Sequence, residues 1–291
     1  MITPMQTESK FVHLQLHSEF SLLDGAIRIS RLLNHCESEG ISDIALTDNG
    51  NLFGAIDFYF GAKKKGINPI IGAEVYFAED MTVKTKTMDR VILLCQNIVG
   101  YQNLCELLSE AHINGFYYNP RIDLNLLSKF SEGLICISSG YWGPIAQLLQ
   151  MNFIDKAREL SNQFLATFPD RFYLGVQRTG ELGIDQIVTD TIELSNDLSI
   201  PLVALNDAFF LKSDEGWMQD LLQCIKTGRE IELDDQNNSK RSQHFLRSEA
   251  EMLDLFSDLP QAISNTVKIA KQCKVEMVSD QVLLPRFECP D

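Results

Sequence analysis

His13 and His17 stand four residues apart and are followed by Asp24, all within the run Phe-Val-His-Leu-Gln-Leu-His-Ser-Glu-Phe-Ser-Leu-Leu-Asp-Gly at 11–25. Imidazole and carboxylate donors this close together are the usual makings of a divalent-metal site, which polarises a substrate oxygen and generates hydroxide from bound water. The tightest ligand spacing, His-x-His, is missing, because Gln15 stands two residues before His17. A neutral amide binds transition metals weakly beside an imidazole. The stretch reads as a metal site from which donors have been removed.

Residues of this kind need a rigid frame to converge on. The apolar residues Phe11, Val12, Leu14 and Leu16 predict a short strand, which puts His17 and Asp24 just past its C-terminal end, where α/β barrels carry their chemistry. Further β-rich apolar runs lie at 44–47, 69–77, 90–95, 133–138, 171–176 and 200–205. Helical patterns fall between most of them, at 27–39, 54–65, 100–111, 144–150, 154–168 and 185–198. Near-continuous apolar strands separated by amphipathic helices predict a parallel sheet covered on its outer side. The expected fold class is α/β, a distorted (βα)7-type barrel over 11–211 behind a tail at 1–10, with an open doubly wound sheet as the alternative. Beyond it, 212–226 reads as helix, 227–243 as a polar stretch containing Asp234, Asp235, Asn237 and Asn238, and 247–273 as helix divided at Pro260. This extension, 212–291, is expected to cap the barrel rather than form a domain of its own.

A chain of 291 residues, 45% of them hydrophobic, can bury one barrel-sized core. Its net charge of −15 argues against broad nonspecific binding to nucleic acid, so any DNA contact requires a local basic patch or protein beyond this chain. The seven cysteines include no Cys-x-x-Cys, and several sit inside apolar runs. That usage fits a reducing cytoplasm better than a disulfide scaffold or a zinc ribbon. No signal peptide or membrane-length apolar run is present. There is also no phosphate-cradling Gly-x-x-x-x-Gly-Lys loop and no Gly-x-Ser-x-Gly elbow. Among the remaining histidines, His13 reads as a hydrogen-bonded core residue, and His35 and His112 as solvent-facing helix residues. His244 reads as part of a solvated basic cluster with Lys240 and Arg241. Lys63, Lys64 and Lys65 end a helix before Gly66, where cations suit the helix dipole.

Several strings lie in collinear order along the chain: His-Ser-Glu-Phe-Ser-Leu-Leu-Asp-Gly at 17–25, Leu-Thr-Asp-Asn-Gly-Asn-Leu-Phe-Gly at 46–54, and Lys-Lys-Gly-Ile-Asn-Pro-Ile-Ile-Gly-Ala-Glu-Val-Tyr at 64–76. They continue with Gly-Phe-Tyr-Tyr-Asn-Pro-Arg-Ile-Asp at 115–123, Asn206-Asp207 and Phe-Leu-Arg-Ser-Glu-Ala-Glu-Met at 245–252. Together they resemble the N-terminal PHP (polymerase and histidinol phosphatase) domain of the bacterial DNA polymerase III alpha subunits. The resemblance implies a distorted barrel at the start of a much longer, cytoplasmic chain. That chain is a DNA-directed DNA polymerase, a nucleotidyltransferase that uses Mg²⁺ and serves DNA replication. Its palm follows the barrel, near Leu284-Pro-Arg-Phe here. The palm's Asp-x-Asp has no counterpart in this chain, and Asp234-Asp235 is not one.

Active PHP domains resemble polynuclear metallophosphoesterases. Carried over by position, the retained ligands are His17, Asp24, Glu74 and Asp207, while Gln15, Asn49, Arg90, Thr179 and Phe209 stand where the family has histidine. Every replacement removes an imidazole. The resemblance therefore implies no catalytic residue and no cofactor, or at most one weakly held hard ion at His17, Asp24, Glu74 and Asp207. Arg90 is expected to stand in for the lost cation through paired hydrogen bonds to one or more of Asp24, Glu74 and Asp207, the alternative being an exposed arginine at a strand start. Two functions follow from the resemblance. The first is a scaffold packed against palm and thumb that docks the proofreading 3′–5′ exonuclease subunit and meets DNA only through the full polymerase. The second is an active metal-dependent phosphoesterase, acting as proofreading exonuclease or pyrophosphatase.

Overall fold

The computed structural model describes residues 10–180, 182–230 and 243–277. The tail at 1–9, the acidic part of the polar stretch, Lys240, Arg241 and Leu284-Pro-Arg-Phe lie outside the described residues. The strands are β1 (Asp43–Asn49), β2 (Asn68–Phe77), β3 (Arg90–Cys95), a short pair β4 (Phe116–Tyr117) and β5 (Asn119–Ile122), β6 (Leu134–Ser138), β7 (Phe172–Gln177) and β8 (Leu202–Leu205). The helices are α1 (Ile29–Glu39), α2 (Ala55–Lys64), α3 (Ile98–Ile113), α4 (Leu124–Lys129), α5 (Pro144–Gln150), α6 (Ile154–Thr167), α7 (Ile184–Leu198), α8 (Gly216–Thr227), α9 (Glu249–Leu255) and α10 (Pro260–Gln272).

The ring order is β1-β2-β3-β6-β7-β8, a curled half-barrel. Neighbours run parallel except at β3, which is antiparallel to both β2 and β6. This corrects the expectation of a parallel sheet. No helix separates β2 from β3, so the chain turns back on itself instead of crossing over as a parallel connection must. The reversal matters for the site: Arg90, the first residue of its strand, sits opposite Tyr76 at the C-terminal end of β2.

The predicted strand at 11–16 is an extended segment with isolated bridges rather than a ladder. Ala45 N donates to His13 O (3.0 Å), Thr47 N to Leu16 O (2.9 Å) and His17 N to Ala208 O (2.9 Å), so the segment lies between β1 and the chain just past β8 and closes the ring. Hydroxyls supply what the ladder lacks: Leu16 N bonds Thr47 Oγ1 and Val12 N bonds Thr266 Oγ1.

Strand alternation sorts the faces. Ile70, Ile92, Leu94, Ile135, Ile137, Val203 and Leu205 fill the interior with Val12 and Leu14. Ile269, Ala270 and Cys273 join the same cluster, so α10 seals the lower end of the barrel. Its start fits the sequence: Pro260 takes the first helical turn, and α9 opens on a capping box between Ser248 and Glu251. The outward strand residues, such as Ile71, Ala73, Val75, Val91 and Leu93, pack with Leu104, Leu107 and Leu108 of α3.

His13 is buried as expected, with Nε2 2.8 Å from Arg247 O. Burial drives its pKa down to about 4, against the pull of that carbonyl. The folded chain therefore binds this proton more weakly than the unfolded one. The corresponding stability is whole above about pH 6.5 and is lost as the pH falls toward 4, by up to about 3 kcal/mol. Urea midpoints of the wild type should fall more steeply between pH 7 and 4.5 than those of His13→Gln; parallel curves would contradict this.

Arg121, on β5, is fully buried and grips backbone oxygens: Gly115 through Nε (3.0 Å), Val83 and Thr85 through Nη1 (2.7 and 2.8 Å), and Met81 through Nη2 (2.8 Å). One guanidinium thus shapes the connection from β2 to β3 and the turn before β4. Arg121→Ala should cost about 3 kcal/mol or more in urea unfolding and speed amide exchange over 81–87. A loss under about 1 kcal/mol would assign the loop another anchor.

Candidate functional site

The inward face turns polar toward the mouth of the barrel. Continuing each strand's alternation, Ile70 leads through Gly72 to Glu74, Ile92 back to Arg90, Ile137 to Ser139, Tyr173 through Gly175 to Gln177, Leu205 to Asp207, and Ala45 through Thr47 to Asn49. The closing segment slips by one residue: Val12 and Leu14 belong to the interior cluster, whereas Gln15 and His17 face the mouth. That slip, in a segment without a ladder, brings His17 to the carboxylates.

His17 Nε2 lies 3.1 Å from Glu74 Oε2 and 3.0 Å from Asp207 Oδ1, with all three side chains buried. Neither contact is aligned as a hydrogen bond; the two carboxylates flank the nitrogen. On the other side of the ring, Nδ1 is 3.3 Å from Ser21 Oγ, whose single proton goes to Asp48 Oδ1. Toward His17 that oxygen can only accept, so both ring nitrogens face acceptors and the ring is an imidazolium. Burial alone would discharge it, but Asp207 and Glu74 outweigh burial and lift its pKa to about 10.

Arg90 Nη1 sits 3.2 Å from Glu74 Oε2 and 3.1 Å from Asn49 Oδ1, and the guanidinium stacks over Trp142. It makes one contact to one acid rather than the paired bonds expected, and the geometry puts it inside the barrel mouth instead of on an exposed strand start. Glu74 Oε1 takes hydrogen bonds from Gln15 Nε2 (3.1 Å) and Ser139 Oγ, and Gln177 Nε2 fixes Gln15 through Oε1 (2.7 Å). Burial favours the neutral acid, yet Arg90 and His17 hold Glu74 well below the ordinary carboxylate range. Two carboxylates, one guanidinium and one imidazolium thus share a buried pocket with no net charge.

Asp24 is not in this group. Its carboxylate binds Lys226 Nζ at 2.9 and 2.8 Å and Gln223 of α8, and reaches the pocket only through Asn49 Nδ2 (3.4 Å). The loop that carries it is shaped by Asp48, which accepts from Ser18 N, Ser18 Oγ and Ser21 Oγ. Gly25 lets the loop close, since a Cβ there would lie 2.0 Å from Ser18 O. Phe209 stacks on His17, ring centroids 4.3 Å apart and 12° from parallel. Thr179 is buried just past β7, two residues beyond Gln177.

His244 departs from expectation. It is buried, bonds Asp207 O through Nδ1 (2.9 Å) and meets the Phe209 ring edge-on. The backbone explains why: Phe209 N bonds His244 O and Leu246 N bonds Phe210 O, which draws this segment along the end of the barrel. His112 is exposed, but its Nε2 caps Gly50 O (3.0 Å), and His35 is half-buried. Lys63 and Lys65 end α2 as expected, paired with Glu276 and Glu37. Sequence reasoning missed Ser139, Gln177 and Trp142. For the first two, the two-residue alternation of β6 and β7 carried the signal.

A family model described as PHP domain matches residues 13–179. The chain belongs to the PHP family. It is 40% identical over 293 aligned residues to a DNA polymerase III subunit alpha of Borreliella burgdorferi, covering 98% of this chain and 26% of that protein. The corresponding protein of Campylobacter jejuni is 35% identical, with 96% and 24% covered. The chain therefore spans about a quarter of the length of the curated relatives it matches. Among solved structures, an amidohydrolase from Chromobacterium violaceum overlaps with a TM-score of 0.46 and 14% identity over 68% of this chain and 87% of that one, a loose likeness on which nothing below rests.

A PHP domain that works on phosphates needs a metal cluster, and the donors here do not fit one. Among the described residues, His17, Glu74 and Asp207 bring ligand atoms within 4.8 Å of one another. That is one imidazole and two acids, and the imidazole's Nε2 carries a proton. A divalent ion would have to expel that proton and share Glu74 with Arg90, leaving a net positive charge in a buried pocket. Phe209 and Arg90 occupy space that further ligands would need.

Removing the guanidinium should therefore be costly. Arg90→Met is expected to lower unfolding free energy by about 3–5 kcal/mol, because it leaves an acid underpaired. Arg90→Met with Glu74→Gln should recover a large part, giving a strong coupling in a double-mutant cycle. Additive losses would mean that Arg90 and Glu74 do not act as a pair.

Proposed function

We propose that this chain is the PHP part of a replicative DNA polymerase III alpha subunit and that its barrel is a noncatalytic scaffold. In this reading it supports the palm and thumb of the longer chain and docks the separate 3′–5′ proofreading exonuclease subunit. Polymerisation, its Mg²⁺ and contact with DNA belong to the rest of that cytoplasmic protein. The observation that carries the scaffold reading is the charge-neutral pocket: the charges of Glu74 and Asp207 are balanced by His17 and Arg90. The relatives named as alpha subunits support the setting. The acidic composition agrees with a part that does not itself hold DNA. Among the described residues no helix is long and apolar enough to cross a membrane.

The three-donor group favours a second reading, a phosphoesterase run by a single bound ion. The purified chain separates the two. With Mn²⁺ or Zn²⁺ and a generic phosphodiester it should turn over at background rate, and it should co-elute with the exonuclease subunit of its own organism. Metal-dependent hydrolysis abolished by His17→Ala would establish the phosphoesterase instead, and failure to co-elute would refute the docking role.

A further inference from the structure

α8 is fastened at both ends and barely packed between them. At its start, Glu215 pairs with Arg31 of α1 (2.6 Å) and accepts from the backbone of Leu211 and Lys212. Near its end, Lys226 straddles both oxygens of Asp24, and Gln223 bonds the same carboxylate and Leu23 O. Only Gly216 and Gln219 of the helix are buried, while Trp217 and Ile225 are 43% and 61% exposed. Among the described residues the Gln219 amide has a hydrogen-bond partner for neither its nitrogen nor its oxygen, a cost that opening to water would relieve. Leu22, 66% exposed, and Leu23, 39% exposed, sit on the loop that α8 touches. The same loop connects inward, since Asn49 joins Asp24 to Arg90.

We propose that α8 and the exposed end of the adjoining loop, residues 22–25, form a latch over the barrel mouth, closed by Lys226 acting as a tethered cation on Asp24 with Gln223 beside it. Weakening that contact loosens the end of α8 and residues 22–25 together, while His17, Ser18 and Ser21 stay held by Glu74, Asp207 and Asp48 and the ring beneath stays folded. The Lys226 side chain is 39% exposed, so solvent screens its contact with the more buried Asp24, and a helix with no fully buried apolar side chain opens below the cost of global unfolding. Opening would uncover the side of the pocket that holds Arg90 and Asn49. It would also present Leu22, Leu23, Trp217 and Ile225 as one mobile apolar edge. The inference rests on the mouth's own contacts and does not depend on the polymerase reading.

Amide exchange on the intact chain tests it. In the wild type, peptides over 19–25 and 217–227 should exchange faster than β2, β3 and α10. In Lys226→Met both segments should accelerate together, by roughly fivefold, with β2 and α10 unchanged. Lys226→Arg should stay within about twofold of wild type, and Asp24→Asn should match Lys226→Met, with no further gain in the double variant. The proposal is overturned if neither segment responds, if one responds without the other, or if the whole barrel accelerates alike. Urea midpoints for each variant identify the last case.

Discussion

The structure depends on a balance of buried charge at one end of a barrel. Glu74 and Asp207 are buried from the surface, where two unpaired carboxylates could not both stay ionised. In a working metal site the balance would come from cations in solution. Here it comes from the chain itself, from the proton on His17 and the guanidinium of Arg90. A covalently attached cation needs no capture and cannot be lost by chelation, but it also offers no open coordination position for a substrate or a water nucleophile.

That exchange is written into the topology. Arg90 can reach Glu74 because β3 runs against its neighbours, which brings the first residue of a strand to the end where parallel strands finish. His17 arrives through a one-residue slip in the segment that closes the ring. Phe209 lies flat on its imidazole, and His244 braces Asp207 from a segment far along the chain. Because residues from the closing segment, from β1, β2, β3 and β7, and from the chain just past β6 and β8 meet here, the pocket ties the barrel together much as a core does. Such a part suits a scaffold reading, in which the outer surfaces rather than the mouth meet partners.

Much of this was legible in the residues. Near-continuous apolar runs located the ring strands, and the helical patterns located the covering helices to within a few residues. The family resemblance, which placed Arg90 at a former ligand position among persisting acids, pointed to an internal cation. Three things were not legible. The reversal of β3 depends on the absence of a helix in 78–89, which local pattern does not turn into strand direction. The separation of Asp24 from Glu74 and Asp207 depends on Lys226 and Gln223, some two hundred residues away in sequence. The burial of His244 depends on backbone pairing with Phe209, whereas its sequence neighbours Lys240 and Arg241 suggest solvent. Each miss concerns a contact between distant segments, which composition and spacing do not encode.

The central claim is that the mouth is already neutral and has no place for a catalytic ion. Anomalous diffraction from crystals of the chain soaked in millimolar manganese or zinc salts tests this most directly. The account predicts no anomalous peak among His17, Glu74 and Asp207, with the Arg90 guanidinium still against Glu74. One or more well-occupied ions bound to those three side chains, with Arg90 swung away, would contradict it.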